Sequence, residues 1–337
     1  MTESTQIQGE EFRDDPRRRQ SLPPDVIKRL TRLDPVKATW PVLQTWGVIA
    51  ACLTAATVWW TPWVVIPAML IITTRAQALF VIAHDAAHYR LYETRWLNDL
   101  VGRLCATPVG ISMCTYRVVH RLHHNHLYGP QDPDTPIHGG YPRGRSYLLR
   151  KLAKDLLGGT AWKTYRYFFG APAINDEIAT ENRPLNDTSP ALRRAARRDR
   201  WLVAAFHIAA PVVAFAADWG WQYLVLWPLV LVTLLQPLLR FRAICEHGAV
   251  VDENSPLKAA RTNTGPGWLM WIVFPHDVNY HIEHHMYPSV PCYNLPECHR
   301  EMVARGILDD AEVRPLTETA RLVFGERPAR QAEGVAA

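Results

Sequence analysis

Eight of the 14 histidines fall in three short clusters, in which the residues are spaced three and four positions apart. On a helix, these spacings place side chains on one face, one turn apart. Each cluster can therefore direct its imidazoles into one shared space. The clusters read His-Asp-Ala-Ala-His, His-Arg-Leu-His-His and His-Ile-Glu-His-His, and they contribute His84, His88, His120, His123, His124, His281, His284 and His285.

So many imidazoles in one register favour a metal site over separate structural roles. Neutral imidazole is a ligand for iron, zinc, copper or nickel, and eight imidazoles are too many for one ion. Structural zinc usually recruits cysteine, whereas none of the six cysteines forms a Cys-x-x-Cys pair. The Glu-x-x-His pattern of ferritin-like bundles and the His-Glu-x-x-His pattern of zinc proteases are both absent. The clusters therefore predict a redox centre with two metal ions.

Four apolar blocks must position these clusters, at about residues 42–60, 64–83, 201–217 and 221–239. Each approaches the ~20 residues with which a helix crosses a bilayer. The turns within the two pairs, at 59–63 and 218–220, contain no Lys or Arg, and many of the 13 tryptophans lie at block edges, as in interfacial belts. The sequence predicts two membrane-spanning helical hairpins, because a soluble protein with buried helices fits this pairing poorly.

The segments between and beyond the blocks are more polar. Residues 97–113 carry Asn98, Asp99 and Arg103 among apolar residues, and residues 268–274 are short, so both predict helices on the membrane surface. Residues 129–146 contain Pro, Gly and Asp and predict a loop. We expect a polar tail at 1–38, a membrane domain at 39–300 and a second polar tail at 301–337.

The formal net charge is +5, and the basic residues flank the apolar blocks instead of forming one concentrated face. This distribution disfavours nucleic-acid binding. The positive-inside rule places the basic N-terminal tail, the middle region and the run at 193–200 in the cytoplasm, together with both termini and all three histidine clusters. The polar N-terminus is not followed directly by an apolar core, so we expect no cleavable signal peptide. The predicted location is a bacterial-type inner membrane or its equivalent.

The order of these features resembles that of the membrane fatty-acid desaturase and hydroxylase superfamily. The resemblance covers about residues 40–300. It includes the Asp-Pro-Asp at 132–134, the stretch from Arg240 to Glu246 and His247, and the run NYHIEHHMYPSVPCYNLP at 279–296. It implies an all-α integral membrane fold with four transmembrane helices in two hairpins. A cytoplasmic helical cap would carry the histidine clusters.

The resemblance also implies two non-haem iron ions. Their ligands would be His84, His88, His120, His123, His124, His247, His281, His284 and His285. Ala243 departs from the stearoyl-type members, which have asparagine four residues before the equivalent of His247. Ligating imidazoles usually donate their other N–H to an acceptor, and the neighbouring carboxylates are Asp85, Glu246, Asp277 and Glu283. Asp132 and Asp134 have the alternative role of stabilising a turn. The other histidines, which match no motif, are His126, His138, His207, His276 and His299.

The expected activity is oxidation of an unactivated C–H bond with O2, as in desaturation of a fatty-acyl chain. A hydroxylase or ketolase acting on a sterol or carotenoid is the first alternative. A non-catalytic metal transporter is a more distant one, because transporters place their ligands at mid-membrane, whereas these clusters lie at span ends. The sequence has neither a Gly-x-Gly-x-x-Gly loop nor an iron–sulfur motif. We therefore expect a separate electron donor, a ferredoxin or b-type cytochrome with its reductase.

Two polar residues interrupt the second apolar block, and such residues are costly within a membrane and often functional. Gln77 is seven residues before His84, so on a helix it shares the metal-facing side and is predicted to border the substrate path. Arg75 falls on roughly the opposite face, where we expect it to pair with another helix.

Overall fold

The computed structural model describes residues 21–130, 132–169 and 189–325. The described chain is mostly helical. Its helices are α1 (Pro24–Leu30), α2 (Pro35–Val58), α3 (Pro62–Ala87), α4 (Arg95–Ala106), α5 (Met113–His126), α6 (Thr135–His138), α7 (Arg145–Leu156), α8 (Ala161–Phe169), α9 (Pro190–Ala216), α10 (Gly220–Leu224), α11 (Val230–Val232), α12 (Leu235–His247), α13 (Gly267–Val273), α14 (His281–Met286), α15 (Leu295–Ala304) and α16 (Leu316–Val323). Three short 3-10 turns cover Thr107–Val109, Pro275–Asp277 and Cys292–Asn294.

Four helical segments are long and apolar enough to cross a membrane, and they cover the four predicted blocks except for residues 59, 60 and 217. They are α2, α3, α9 and the continuous stretch Gly220–His247, with 24, 26, 27 and 28 residues. Helix α2 begins with Pro35, and the Asp34 side chain accepts hydrogen bonds from the backbone N–H groups of Val36 and Lys37. Helix α9 begins similarly, because Ser189 accepts from Leu192 N. The basic run at 193–200 forms its first turns.

Helix α3 is the central helix of the fold. In its apolar window 67% of the residues are buried, against 17% for α2 and α9. Residues 72–87 of α3 are buried without interruption, and α2, α4, α5 and α12 all contact this helix. The outer helices therefore expose apolar residues such as Leu43, Ile208 and Val212, as expected for helices that face lipid.

The last spanning segment is not a uniform α-helix. Residues Val225–Leu229 form a π-helical turn that contains Pro228, and Thr233 departs from helical backbone angles before α12 begins. Proline has no N–H and so removes a hydrogen bond from a regular helix. This explains why the segment changes its helical type at the proline.

The two segments predicted to lie on the membrane surface are helices in the structure and are not among the candidate spans. Helix α4 exposes Trp96, Leu100 and Leu104 while it buries Asn98 and Gly102. Helix α13 exposes Trp268, which has 67% of its surface accessible. Exposed tryptophans and leucines beside polar residues are typical of helices at a membrane interface.

The C-terminal residues pack against the histidine-bearing part of the chain. Strand β1 (Thr262–Thr264) pairs in parallel with β2 (Val313–Pro315), so the expectation of an all-α fold is corrected by one short strand pair. Helices α1 and α15 share a small apolar core with Ile282, which lies within the third histidine cluster. The polar tails predicted from the sequence are therefore folded where the structure describes them, and most of the basic N-terminal tail lies outside the described residues.

Candidate metal centre

The first two histidine clusters are held together by hydrogen bonds at the end of α3. The Ser112 side chain accepts from Thr115 N at the start of α5, which carries the second cluster. From α5, Arg117 donates to the carbonyl oxygens of Ala86 at 2.8 Å and Ala87 at 3.1 Å. These carbonyls lie in the last turn of α3, where the Ala86 carbonyl also accepts from the backbone N–H of Tyr89 at 3.1 Å. Arg117 therefore fixes the first cluster against the second.

A second arginine holds the end of α12, where His247 lies. Arg261 is fully buried and donates to the carbonyls of Cys245 and Gly248 at 3.2 and 2.9 Å, while it pairs with Glu312 at 3.1 Å. The adjacent Thr262 donates to Glu283 at 2.6 Å, within the third cluster. One short strand thus connects the last span to α14.

The structure brings five of the predicted ligands into one group, from α3, α5 and α14. Their ligand nitrogens all lie within 4.8 Å of one another. Within the group, Nε2 of His284 lies 3.0 Å from Nε2 of His84 and 2.9 Å from Nε2 of His124. Nε2 of His124 is also 3.0 Å from Nε2 of His120. The five residues are His84, His88, His120, His124 and His284.

The other four predicted ligands form a second group beside the first. His123, His247 and His285 have ligand nitrogens within 4.8 Å of one another. Nε2 of His247 lies 3.2 Å from Nε2 of His123 and 2.8 Å from Nε2 of His281. The ring centroids of His124 and His285 are 4.3 Å apart, so the two groups are adjacent.

The Nδ1 hydrogen bonds of two of these histidines leave their Nε2 lone pairs available to a metal ion. Nδ1 of His123 lies 3.0 Å from Asp132 Oδ1, and Nδ1 of His247 lies 3.2 Å from Ala259 O. Both partners are acceptors, so each Nδ1 carries the hydrogen and each neutral ring presents a lone pair at Nε2. Two lone pairs 3.2 Å apart repel each other unless they share a cation, which is a proton or a metal ion. Imidazole nitrogens this close together would suit joint ligation of one ion.

Burial keeps most of these imidazoles in the neutral form that binds metals. It lowers the pKa values of His88, His120, His124, His281, His284 and His285 below that of an exposed histidine. His123 differs, because its hydrogen bond to Asp132 and the nearby carboxylates outweigh burial and raise its pKa. Within the described part of the chain, Nε2 of His88 and of His285 is buried and has no hydrogen-bond partner. The group therefore has donor atoms that an ion would satisfy.

The carboxylates next to the histidines have different roles. Asp132 accepts from His123 and also from the backbone N–H groups of Tyr128 and Asp134, so it stabilises the turn and orients an imidazole. Asp85 lies 3.4 Å from His84 Nδ1 and accepts from Cys292 N at 2.9 Å.

The other three candidate acceptors make no hydrogen bond to a predicted ligand. Glu246 pairs with Arg242 at 3.1 Å and lies 3.9 Å from His281 Nδ1. Glu283 accepts from His299 and Thr262. Asp277 lies in a 3-10 turn between α13 and α14, where burial raises its pKa to about 6.

His138 is a residue of the centre that the sequence pattern did not identify. It has 1% of its surface exposed, its ring centroid lies 5.0 Å from that of His247, and its Nε2 lies 3.7 Å from Asp132. Asp132 thus lies between the imidazoles of His123 and His138. The sequence pattern missed His138 because a single histidine in a loop with Pro and Gly has no second histidine at helical spacing. The other unmatched histidines are outside both groups, and His207 and His276 contact Thr107 O and Thr45 Oγ1.

A cavity of about 150 Å³ adjoins the histidines. Its walls include the aromatic side chains of Phe80, Tyr116 and Phe168, and Gln236 and Arg240 form a polar side. One water molecule needs roughly 10–15 Å³ of cavity space of this kind, so the cavity is much larger than a single water site. It has room for a short stretch of a chain beside the metal-binding nitrogens.

The two polar residues of the second span anchor α13. Arg75 donates to Trp271 O at 2.5 Å and stacks on the Trp271 ring, with its guanidinium carbon 3.4 Å from the ring centroid. Arg75 thus contacts another helix, as expected. Gln77 donates to Val273 O and is not among the residues that line the 150 Å³ cavity. Its predicted position on the substrate path is not supported, because the carbonyl group at the end of α13 binds its amide.

Comparison with known proteins identifies the family. The model of the fatty acid desaturase family matches residues 57–314. Dihydrorhizobitoxine desaturase from Bradyrhizobium elkanii is 26% identical over 282 residues, which cover 80% of this chain and 77% of that protein. An sn-1 oleoyl-lipid 12-desaturase from Synechocystis sp. is 26% identical over 285 residues, covering 82% and 79%.

A third relative is an sn-1 acyl-lipid omega-3 desaturase (ferredoxin) from Nostoc sp. It is 24% identical over 235 residues, which cover 65% of this chain and 61% of that protein. The family match covers more than half of the chain and includes all three histidine clusters and His247. The resemblance noted in the sequence is therefore confirmed, and the chain belongs to the fatty acid desaturase family.

Proposed function

We propose that this protein is a multi-pass membrane enzyme that introduces a double bond into a fatty-acyl chain at a centre of two iron ions. The observation that carries the proposal is the convergence of nine imidazoles in two adjacent groups, with pairs of Nε2 atoms 2.8–3.2 Å apart. When bound, the irons supply activation of O2 for removal of hydrogen from an unactivated C–H bond. Five imidazoles would hold one ion and four would hold the other.

The residues of the chain hold the ligands and enclose the reacting carbons. Asp132 orients His123 through Nδ1, and the carbonyl of Ala259 orients His247 in the same way. The aromatic walls of the 150 Å³ cavity exclude water and admit a narrow stretch of methylenes. Desaturation removes two hydrogens from the substrate, and two further electrons and two protons must be supplied to reduce O2 to two water molecules.

The membrane arrangement is part of the same proposal. The two pairs of consecutive spans form hairpins whose turns, at Trp59–Thr61 and Ala217–Trp219, lie outside the cytoplasm. The nine predicted ligands, which lie at the opposite ends of the spans or on the helices packed there, then face the cytoplasm. This position disfavours a transport function, for which ligands at mid-membrane are expected.

The test is expression in a host of known lipid composition, followed by mass spectrometry of the fatty acids. The expected product is a fatty acid with one additional double bond, formed by the unaltered protein and absent with His284→Ala. A hydroxylated product in place of the alkene supports the hydroxylase alternative and rejects desaturation. Iron analysis of the purified protein is expected to give about two ions per chain. Activity with stoichiometric zinc and no iron contradicts the proposed centre.

A further inference from the structure

Helix α8 separates the metal cavity from a groove on its other side. Thr164 and Phe168 line the metal cavity, whereas Tyr165 and Phe169 line the groove. The groove has a volume of about 540 Å³ and is bounded by α8, α9 and the region from Pro228 to Val232. It is therefore distinct from the space in which the proposed chemistry takes place.

The groove is apolar in the part that lies along the spans. Val203 and Ala204 line it from α9, and Leu231 and Val232 line it from the last span. Two polar side chains in this part are already bound within the protein, because Tyr165 donates to Leu231 O at 3.0 Å and His207 Nε2 lies 3.1 Å from Thr107 O. A hydrocarbon chain is the occupant that such a surface favours.

Two arginines lie at one end of the groove. Arg166 is exposed and is one of the lining residues. Arg200 lies four residues before Ala204, hence on the same face of α9, and its guanidinium carbon is 5.8 Å from the Phe169 ring centroid. Phe169 itself lines the groove, so Arg200 lies beside it. The exposed Arg166 guanidinium offers donors to an anion at this end of the groove, and Arg200 adds positive charge next to it.

Exposed tryptophans place this end at the membrane interface. Trp162 on α8 and Trp201 on α9 are 58% and 64% exposed, and tryptophan concentrates at the depth of lipid headgroups. From Arg200 to His207, α9 rises about 10 Å over seven residues, and Val203, Ala204 and His207 line the groove in this stretch. Positive charge at headgroup depth with an apolar channel below it matches the shape and charge of an anionic lipid.

We propose that the groove binds an anionic phospholipid, with one acyl chain along Val203, Ala204 and Leu231 and the phosphate on Arg166 and Arg200. This inference rests on the membrane placement proposed above and not on catalytic activity. Its failure is distinguishable from failure of the proposed function, because lipid binding and product formation are measured separately.

The test measures lipid binding to the delipidated full-length protein in detergent by native mass spectrometry. The probes are phosphatidylglycerol and phosphatidylcholine with the same acyl chains. The unaltered protein is expected to bind one phosphatidylglycerol at least tenfold more tightly than phosphatidylcholine. Equal affinity for the two lipids overturns the proposal, as does binding of phosphatidylcholine alone.

Paired variants separate the charge from the groove. R166Q/R200Q is expected to weaken phosphatidylglycerol binding by about thirtyfold, because each basic residue at a membrane surface contributes about fivefold. The control R194Q/R198Q removes the same charge from exposed positions of α9 and is expected to bind as the unaltered protein does. Phosphatidylglycerol binding by R166Q/R200Q at unchanged affinity overturns the proposal.

The groove itself is tested with Ala204→Trp, which fills it, and with the matched control Ala205→Trp at an exposed position. Ala204→Trp is expected to lose the bound lipid, and Ala205→Trp is expected to keep it. Lipid retention by a folded Ala204→Trp protein overturns the proposal. If Ala204→Trp does not fold, the arginine variants still decide the outcome.

Discussion

The acceptors that hold imidazole Nδ1 atoms set the direction in which each Nε2 lone pair points. Asp132 has this role for His123, and its two other hydrogen bonds come from backbone N–H groups of its own turn. The turn is therefore built around a carboxylate whose pKa lies well below the ordinary value. Burial alone would raise this pKa, but the hydrogen bond and charge of His123, together with the backbone N–H of Asp134, outweigh it.

We predict that Asp132→Asn reduces the iron affinity of the protein by 10- to 100-fold, the usual loss when such an outer partner is replaced. Asparagine keeps the size of the side chain, but it removes the negative charge that stabilises the Nδ1–H of His123. Iron content after dialysis against graded chelator measures the effect. Asp252→Asn is the control, because Asp252 is exposed and accepts a local hydrogen bond from Asn254 N. Equal iron retention by both variants contradicts the role of Asp132.

The grouping of the eight clustered histidines was predictable from the sequence because helical spacing is local information, whereas His247 was implied only by the family resemblance. The residues that position them were not. Arg117 reaches Ala86 across 31 positions, and Arg261 binds the end of α12 only because β1 pairs with a strand about 50 residues later. His138 lacks a periodic neighbour, so its burial beside His247 follows from the fold alone.

At the scale of helices, close approach between α8 and the turn after α4 depends on glycine. Gly110 has a φ of +80°, a conformation that residues with a Cβ rarely adopt, and an added Cβ would lie 2.5 Å from the Tyr165 ring. Tyr165 in turn donates to Leu231 O. This contact therefore connects α8 to the last span.

We predict that Gly110→Ala lowers the free energy of unfolding by about 1–3 kcal/mol, from backbone strain and displacement of the ring. The matched control is Gly47→Ala within α2, where an added Cβ meets no atom within 4 Å. Alanine is the better helix former, by about 0.5–1 kcal/mol, so this variant is expected to be slightly more stable. Thermal unfolding in detergent compares the two, and a loss of stability in both would refute the role of the Gly110 contact.

The attachment of α13 to the central helix gives a second prediction at this scale. Gln77→Leu removes the hydrogen bond to Val273 O and leaves a buried carbonyl without its donor. The expected cost is about 1–3 kcal/mol of stability, with an unchanged product distribution. Thermal unfolding and fatty-acid analysis of the same preparation measure both quantities. A changed product distribution at unchanged stability would instead support the prediction that Gln77 borders the substrate path.

The number and approximate positions of the spans followed from the apolar blocks, because crossing a membrane imposes a length on each helix. Their ends did not. Helix α9 begins at Pro190, so the basic run at 193–200 extends a span instead of forming a separate segment. The strand pair and the packing of α16 against α12 depend on contacts between distant residues, which hydrophobic periodicity does not report.

For the whole molecule, we predict that both termini and all histidine clusters face the cytoplasm. Reporter domains inserted at Thr61 and Asp218 are expected to read as external, since these turns contain no Lys or Arg whereas the opposite ends are basic. A reporter fused at the C-terminus is the control and is expected to read as cytoplasmic. A cytoplasmic reading at either turn contradicts the two-hairpin arrangement.

The supply of electrons is also a property of the whole molecule. Desaturation requires two electrons from outside the substrate, and the 337 residues contain no Cys-x-x-Cys pair and no Gly-x-Gly-x-x-Gly loop. Arg194 and Arg198 are exposed on the first turns of α9. An acidic carrier such as ferredoxin would be attracted to them, because a patch of one sign accelerates encounter with the opposite sign.

We therefore predict that the purified protein with O2 and a nicotinamide cofactor alone is inactive, and that a ferredoxin with its reductase restores turnover. If the exposed arginines are the docking site, R194Q/R198Q slows turnover at limiting ferredoxin. Raising the salt concentration from 0.05 to about 0.5 M then slows the unaltered enzyme more than this variant, because salt screens exposed charges. Saturating ferredoxin restores the variant, since the change affects encounter and not the metal centre. Sustained turnover with no carrier protein would show that the electrons enter by another route.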